Sequence, residues 1–365
     1  MLIEIIFLIA LAGYFIQSVL FIIGCSKKFS KIDEKKFLSA SVIVAARNEE
    51  ENILRCLKSL DKLDYPEDKL QIILVDDRST DKTGNIIDNF IINKPKFTKI
   101  ETKKEIGRLK GKTNALANAL EIASGEIILT TDADCVLAPT WVKTTVSYYQ
   151  SDVAMVNGFT TQTADSNFSG MQAIDFIYLL IVAAGTINFG TPISCIGNNM
   201  SYRKKAYFEV GGYENLPFSI TEDFNLLKAI NKLKKYKIIY PLDKEALVTS
   251  KACKDVKSLY HQKKRWSVGG LKAPWQGYVI FVFGYITNIL TLLTPFFISK
   301  VWLYLVLFKL ATDFFLLLPA YKQLGILKDL KYFIAFEMYY LIYVTLLPII
   351  IFTTGQKVNW KGRKY

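Results

Sequence analysis

Ile127-Ile128-Leu129-Thr130-Thr131-Asp132-Ala133-Asp134 is the stretch from which the rest of the chain is read. Apolar and β-branched residues run without interruption into two carboxylates spaced one residue apart. The run reads as a short buried strand with the carboxylates at its C-terminal end. In open α/β sheets, ligands bind just beyond the carboxyl ends of the strands. Two acids there repel each other and are costly to desolvate unless a cation or hydrogen-bond donor shares the site. A magnesium ion carried by substrate phosphates would supply that, since it uses one or two carboxylates plus phosphate oxygens. Taken alone, the pair is equally a polar turn, so its weight depends on the surrounding sequence.

The chain has 365 residues, 51% of them hydrophobic, and a mean hydropathy of +0.22. That is apolar for a soluble protein and places part of the chain in lipid. Lys and Arg number 46 against 33 acids, a net charge of +13. These basic residues cluster beside apolar spans, which points to an anionic membrane surface rather than to nucleic acid. Five cysteines with no Cys-x-x-Cys pair argue against a zinc site or a disulfide framework. With His261 the only histidine, any metal must be held mainly by oxygens.

Residues 2–24 are nearly continuous apolar sequence, long enough to span a bilayer. Lys27, Lys28, Lys31, Lys35 and Lys36 follow. The positive-inside rule then makes this an uncleaved anchor whose C-terminal side is cytoplasmic. From about residue 37 strands and helices alternate: strands at 38–45, 70–75 and 127–131, with helices at 49–60, 81–92 and 112–123 and another starting at Pro139. Such alternation means a parallel sheet with covering helices. Residues 171–189 are apolar but interrupted by Asp175, Gly185 and Asn188. We read them as a buried or interface-lying helix. Further strands are expected at 236–241 and 246–249. Residues 250–270 form a basic amphipathic stretch carrying Lys251, Lys254, Lys257, Lys263, Lys264 and Arg265. Three apolar blocks follow, at about 278–298, 301–319 and 332–352, and Lys309 and Asp313 are spaced to pair on one helix face. The tail from Lys357 is basic again. Three full spans would put it outside, so either one block is re-entrant or the positive-inside rule fails here.

Five motifs lie in order along this pattern. Ala46-Arg47-Asn48-Glu49 is a helix start in which Asn48 can cap, and a place where a nucleotide could meet backbone N–H groups. Val75-Asp76-Asp77-Arg78-Ser79 again puts carboxylates at a strand end, with Ser79 or Asp81 available to cap the next helix. Gly107–Thr113 superficially matches a P-loop, but only Arg108, Leu109 and Lys110 separate Gly107 and Gly111 and no hydrophobic strand precedes it. An ATPase is rejected, though Lys112 can still serve a phosphate as a point charge. Thr221-Glu222-Asp223 is either a cap with acids in the first helical turn or the site of a general base, Asp223. Gln262-Lys263-Lys264-Arg265-Trp266 is either a membrane-flanking helix or a site where Arg265 bridges a diphosphate beside a Trp266 wall.

Asp76-Asp77, Asp132-x-Asp134, Thr221-Glu222-Asp223 and Gln262-x-x-Arg265-Trp266, in this order after a membrane anchor, resemble the membrane-bound family 2 glycosyltransferases. These are the relatives of cellulose, chitin and hyaluronan synthases and of ceramide glucosyltransferases. The resemblance runs from about Ser41 to Trp266. Trp360-Lys361-Gly362-Arg363 also looks like the tails of some lipid-directed members. Ala45-Ala46 departs from the family, where many members have Pro or Tyr before the Asn-Glu pair.

The resemblance implies an α/β catalytic domain of the GT-A fold, Rossmann-like with a mostly parallel sheet, carried by N-terminal and C-terminal transmembrane helices. It implies inverting transfer from a nucleotide-sugar, usually a UDP-sugar, with magnesium or manganese. Asp76 and Asp77 would hold the uridine, with Lys112 near the nucleotide. Asp132 would contact the donor, and Asp134, with Asp132, would ligate the metal. Asp223 would be the base. Gln262, Arg265 and Trp266 would line the diphosphate and acceptor end, with Glu222 and Asn198 beside it.

The expected organisation is an anchor at 1–26, a catalytic domain at 37–250, an amphipathic interface helix at 251–275, membrane segments at 276–354 and a basic tail at 355–365. The expected protein is integral to the cell (inner) membrane with its catalytic domain cytoplasmic, and it moves a sugar to a lipid or lipid-linked acceptor. Four apolar segments are few for a monomeric pore. A processive polysaccharide synthase, completed by an oligomer or a partner subunit, stays open as the alternative.

Overall fold

The apolar run at the start of the chain forms helix α1 (Leu2–Cys25). Strand-helix alternation follows as β1 (Ala40–Ala46), α2 (Ile53–Asp61), β2 (Leu70–Asp76), α3 (Thr83–Ile91), β3 (Phe97–Glu101), α4 (Gly111–Ile122) and β4 (Ile127–Asp132). Then come β5 (Val136–Leu137), α5 (Trp141–Ser147), β6 (Val153–Asn157), β7 (Thr160–Gln162) and a long helix α6 (Asn167–Asn188). The chain continues through β8 (Met200–Arg203), α7 (Lys204–Glu209), α8 (Glu222–Lys232), β9 (Lys237–Ile239) and β10 (Val248–Ser250). Four helices follow: α9 (Val256–Gly270), α10 (Trp275–Leu292), α11 (Lys300–Leu324) and α12 (Phe333–Thr354). This computed structural model describes residues 2–102, 105–217, 219–355, 359–360 and 363–364. Lys103, Lys104, Lys357, Lys361 and Gly362, in the charged run before α4 and in the basic tail, lie outside the described residues.

The chain forms two compact units. One comprises Lys28–Thr161 and Cys195–Lys251, the other Met1–Lys27, Gln162–Ser194 and Ala252–Tyr365. The first is the α/β unit. Its seven-stranded sheet runs β3-β2-β1-β4-β8-β6-β9. β1 pairs in parallel with both β2 and β4, and β3 extends the parallel half. β8 runs antiparallel between β4 and β6. A smaller sheet has the order β5-β10-β7. Helices on both faces explain why β1 and β2 read as unbroken apolar runs instead of alternating ones. Val42, Ile43, Val44, Ile72 and Ile73 are fully buried, and each contributes about 1.5–3 kcal/mol by leaving water.

The sheet register fixes the site. Asp76 is opposite Ala46 on one side of β1, and Asp132 is opposite Ala45 on the other. Both acids therefore end strands at one sheet edge, two strand spacings or roughly 10 Å apart.

Two expected caps are not formed. Asn48 does not cap α2, whose cap position is Asn52. It adopts a left-handed backbone (φ 52°), and its side-chain oxygen instead accepts the Thr80 N–H at 2.8 Å. Thr221 precedes α8 but makes no capping hydrogen bond, and its hydroxyl lies 3.2 Å from Ser219 Oγ. In both cases a short polar side chain is satisfied by a nearer loop partner.

The second unit is helical. α1 buries a stripe through Phe7, Leu11, Tyr14, Ser18 and Phe21, while Leu2, Ile5, Leu8, Ile9 and Ile16 on its other faces stay exposed. A helix apolar all round fits lipid. Among the described residues, five helical segments are long and apolar enough to cross a membrane: Leu2–Cys25, Asn167–Asn188, Trp275–Leu292, Lys300–Leu324 and Leu327–Thr354. α6 is the most enclosed, with 83% of its apolar window buried inside the protein, packed on α1 and α12. Lys309 does pair with Asp313, at 2.8 Å, and Glu337 of α12 adds a second carboxylate to the same ammonium. All three lie inside the bundle.

Candidate functional site

At the shared sheet edge the loops after β1 and β2 are knitted together. Arg47 Nη1 donates to the Asp77 carbonyl at 3.0 Å, the Glu49 N–H donates to Thr83 Oγ1 at 2.7 Å, and the Glu50 N–H donates to Asp81 Oδ2 at 3.1 Å. Asp76 Oδ1 accepts the Ser79 N–H at 2.9 Å. Arg78 takes a left-handed backbone (φ 57°) and donates from Nε to the Thr102 carbonyl. A non-glycine residue in that region is uncommon. Here the Asp76 turn and the Arg78 bond hold it. Asp76 and Asp77 are both buried at the strand end.

The second part of the site is built around Lys112. It sits in the first turn of α4, where a cation opposes the helix dipole. Three acids offset that. Lys112 Nζ lies 2.6 Å from Asp132 Oδ1 and 3.2 Å from Glu222 Oε1. Asp223 adds a further attraction. Burial works against the ammonium, but Asp132, Glu222 and Asp223 outweigh it and hold Lys112 above the ordinary lysine range. The dipole favours Glu222 and Asp223, which occupy the first turn of α8.

Gly197 closes this cluster. A methyl group on it would lie 3.2 Å from Asp223 Oδ2 and 3.5 Å from Lys112 Nζ. The Gly197 carbonyl accepts from Thr130 Oγ1 at 2.8 Å, which ties its loop to β4. Acids separated by some ninety residues, Asp132 and Glu222, thus share one ammonium.

Asn198, expected near the acceptor, is buried and its Oδ1 accepts from Thr160 Oγ1 at 2.8 Å. Asp134 follows the strand end, with Cys135 Sγ 3.5 Å from its Oδ1. Burial, reinforced by Asp134 and Asp132, pushes the Cys56 and Cys135 thiols up. Burial, followed by Asp223 and Glu222, does the same to Cys195. None of the three is a ready thiolate nucleophile.

Among the described residues, no group of three or more His, Cys, Asp or Glu side chains could hold a metal ion by itself. What Asp132 and Asp134 offer is a hard, all-oxygen pair. That donor set fits magnesium or manganese sharing its remaining positions with a diphosphate and water.

Gln262, Arg265 and Trp266 belong to the helical unit, on α9. Their i, i+3, i+4 spacing puts them on one face, and all three are half-buried. Lys263, on the flank of that face beside Trp266, and Lys264, on the opposite side, are both buried. Within the basic amphipathic stretch these two lysines are thus turned into the protein. Lys263 pairs with Asp175 of α6, and Lys264 donates to Thr354 Oγ1 of α12 at 2.8 Å. Partners from two neighbouring helices make burial of both lysines tolerable.

Comparison with known proteins is consistent with this geometry. The family model for glycosyl transferase family 2 matches residues 41–211, and that for glycosyl transferase family group 2 matches residues 127–354. The chain belongs to glycosyltransferase family 2. Among curated relatives, the beta-monoglucosyldiacylglycerol synthase of a Nostoc species is 29% identical over 63% of this chain and 48% of its own length. The poly-beta-1,6-N-acetyl-D-glucosamine synthase of Staphylococcus epidermidis is 27% identical over 66% of this chain and 56% of its own. This family 2 chain thus spans about half the length of the curated relatives it matches. A mannosyltransferase from Pyrobaculum calidifontis, solved with GDP-Man and Mn2+, aligns over 93% of this chain and 99% of its own, with a TM-score of 0.60 at 21% identity. That likeness shows the GT-A fold.

Proposed function

We propose that this family 2 glycosyltransferase moves a sugar from a UDP-sugar, with inversion, to a membrane lipid or lipid-linked acceptor at the cytoplasmic face. The observation that carries the reading is the convergence of Asp132, Glu222 and Asp223 on Lys112 at the carboxyl edge of the sheet. It supplies in one place an anion-binding cation and a carboxylate that can take a proton. The five apolar helices and the glycolipid-synthase relative support a membrane-borne acceptor.

In this reading Asp76 and Asp77 bind the nucleoside. Lys112 lies near the nucleotide and Asp132 contacts the donor. Asp134, with Asp132, would hold a magnesium or manganese ion, which when bound neutralises charge on the leaving diphosphate. Asp223 removes the acceptor hydroxyl proton as that oxygen bonds to the anomeric carbon. The bond from that carbon to the phosphate oxygen breaks, and the nucleoside diphosphate leaves. Gln262, Arg265 and Trp266 serve the diphosphate and acceptor end, with Arg265 suited to bidentate phosphate contact. Lys112 and Arg265 stabilise the developing negative charge, usually the largest catalytic contribution in such reactions.

The Gln-x-x-Arg-Trp motif and the polysaccharide-synthase relative favour processive synthesis as a second reading. Incubating the purified protein with lipid extract and labelled UDP-glucose, UDP-galactose, UDP-N-acetylglucosamine or GDP-mannose separates these cases. Addition of one sugar to a lipid is expected. A ladder of products favours the synthase, and a product only from GDP-mannose removes the uridine assignment. Asp223→Asn should bind donor normally and not transfer, and Asp134→Ala should lose the metal-dependent part of donor binding. Normal turnover in the first variant would remove the base.

A further inference from the structure

α6 grips the segment that carries the Gln-x-x-Arg-Trp motif at three points on one of its faces. Gln172 Nε2 donates to the Cys253 carbonyl at 3.2 Å, and the Cys253 N–H donates to Gln172 Oε1 at 2.9 Å. Asp175, with no exposed surface, pairs with Lys263. Phe176 stacks on Trp266, with ring centroids 5.4 Å apart and planes 15° from parallel. Residues 172, 175 and 176 are spaced i, i+3, i+4, so they form one stripe along α6. α12 completes the seat. Tyr343 donates its hydroxyl to Asp175 Oδ1 at 3.2 Å, leaving Oδ2 for Lys263. Lys263 Nζ also lies 4.4 Å from the centre of the Trp266 ring.

We propose that Asp175 is a positioning residue for sugar transfer. Its carboxylate fixes the rotation of α9 about its own axis through Lys263, and so fixes where Gln262, Arg265 and Trp266 point. Stacking of apolar rings tolerates sliding. A buried ion pair does not, because turning α9 by one residue, about 100°, would strand both charges. A buried polar pair chosen for register over stability is a known use of such groups. The sequence carries the trace of this device: an acid inside an otherwise apolar run and a lysine inside the motif. The inference rests on the assignment of the motif to the diphosphate and acceptor end, and nothing in the reaction requires Asp175 or Lys263 to touch substrate.

The test compares Asp175→Asn, Lys263→Met and the exchanged pair Asp175→Lys/Lys263→Asp with Trp266→Ala. Turnover and the circular dichroism spectrum are both measured on the full chain in detergent. Misplacement by about 1 Å costs on the order of a hundredfold in rate, so each single variant should lose roughly that in kcat. The circular dichroism spectrum should stay that of the wild type. The exchanged pair should recover at least about tenfold over either single variant. Turnover near wild type in both single variants would overturn the proposal, as would an exchanged pair no better than the singles. Loss of helical circular dichroism in parallel with turnover would also overturn it, because that marks general unfolding. Should Asp175→Asn not fold, Tyr343→Phe is read instead. A loss of turnover with the wild-type circular dichroism spectrum supports positioning, and unchanged turnover refutes it. Trp266→Ala keeps the two readings apart: if it transfers normally, the motif assignment fails; if it is inactive while Asp175→Asn is active, positioning alone fails.

Discussion

Lys112 Nζ donates to Asp132 Oδ1 at 2.6 Å, joining the start of α4 to the end of β4. The same ammonium reaches Glu222 at 3.2 Å. Without it, acids from two distant parts of the chain would face one another with no cation between them. Lys112→Met should therefore weaken UDP binding by about tenfold or more, since the variant removes the charge proposed to face the phosphate. Added magnesium should offset part of the loss. Isothermal calorimetry with UDP, with and without magnesium, reads both effects.

Gly197→Ala tests how tightly the cluster is closed. The added methyl would press on Asp223 Oδ2 at 3.2 Å. The carboxylate must then give way by a few tenths of an ångström. We expect turnover to fall by roughly 5- to 50-fold through misplacement of Asp223. Thermal stability and UDP affinity should hardly change. A variant as active as wild type would show that Asp223 has room to move.

Stability of the α/β unit should depend on pH through Asp243. Burial alone would raise its carboxyl pKa. Lys31 Nζ at 2.8 Å, the Tyr148 hydroxyl at 2.7 Å and the Glu245 N–H outweigh this and hold it below the usual range. A lowered native value stabilises the fold above the unfolded pKa, near 4, and the gain is lost as pH falls through the native value. Asp243→Asn should cost about 1–2 kcal/mol at pH 7. It should also flatten the decline in melting temperature between about pH 5 and pH 3, followed by circular dichroism.

The Lys309 ammonium sits between Asp313 and Glu337 with none of the three exposed. Lys309→Met leaves two carboxylates in the bundle without their cation. Breaking a buried pair in this way typically costs about 3–5 kcal/mol. The triple variant Lys309→Met/Asp313→Leu/Glu337→Met, apolar throughout, should recover most of that. Melting followed by helical circular dichroism distinguishes the two.

The sequence by itself determined the alternating α/β pattern, the strand ends that carry Asp76 and Asp132, and the apolar helices. These follow from local periodicity and from residues next to one another in the chain. The spacing of Lys309 and Asp313 likewise foretold their pair. The antiparallel insertion of β8 between β4 and β6 was not legible, since pairing is a property of two segments and register of neither alone. Nor was the burial of Lys263 and Lys264, whose partners Asp175 and Thr354 lie 88 and 90 residues away. Only the tertiary structure decided that Lys112 would be the common partner of Asp132 and Glu222. A charge spacing along the chain cannot say which helix start will face which strand end. That depends on how α4 and α8 pack against the sheet.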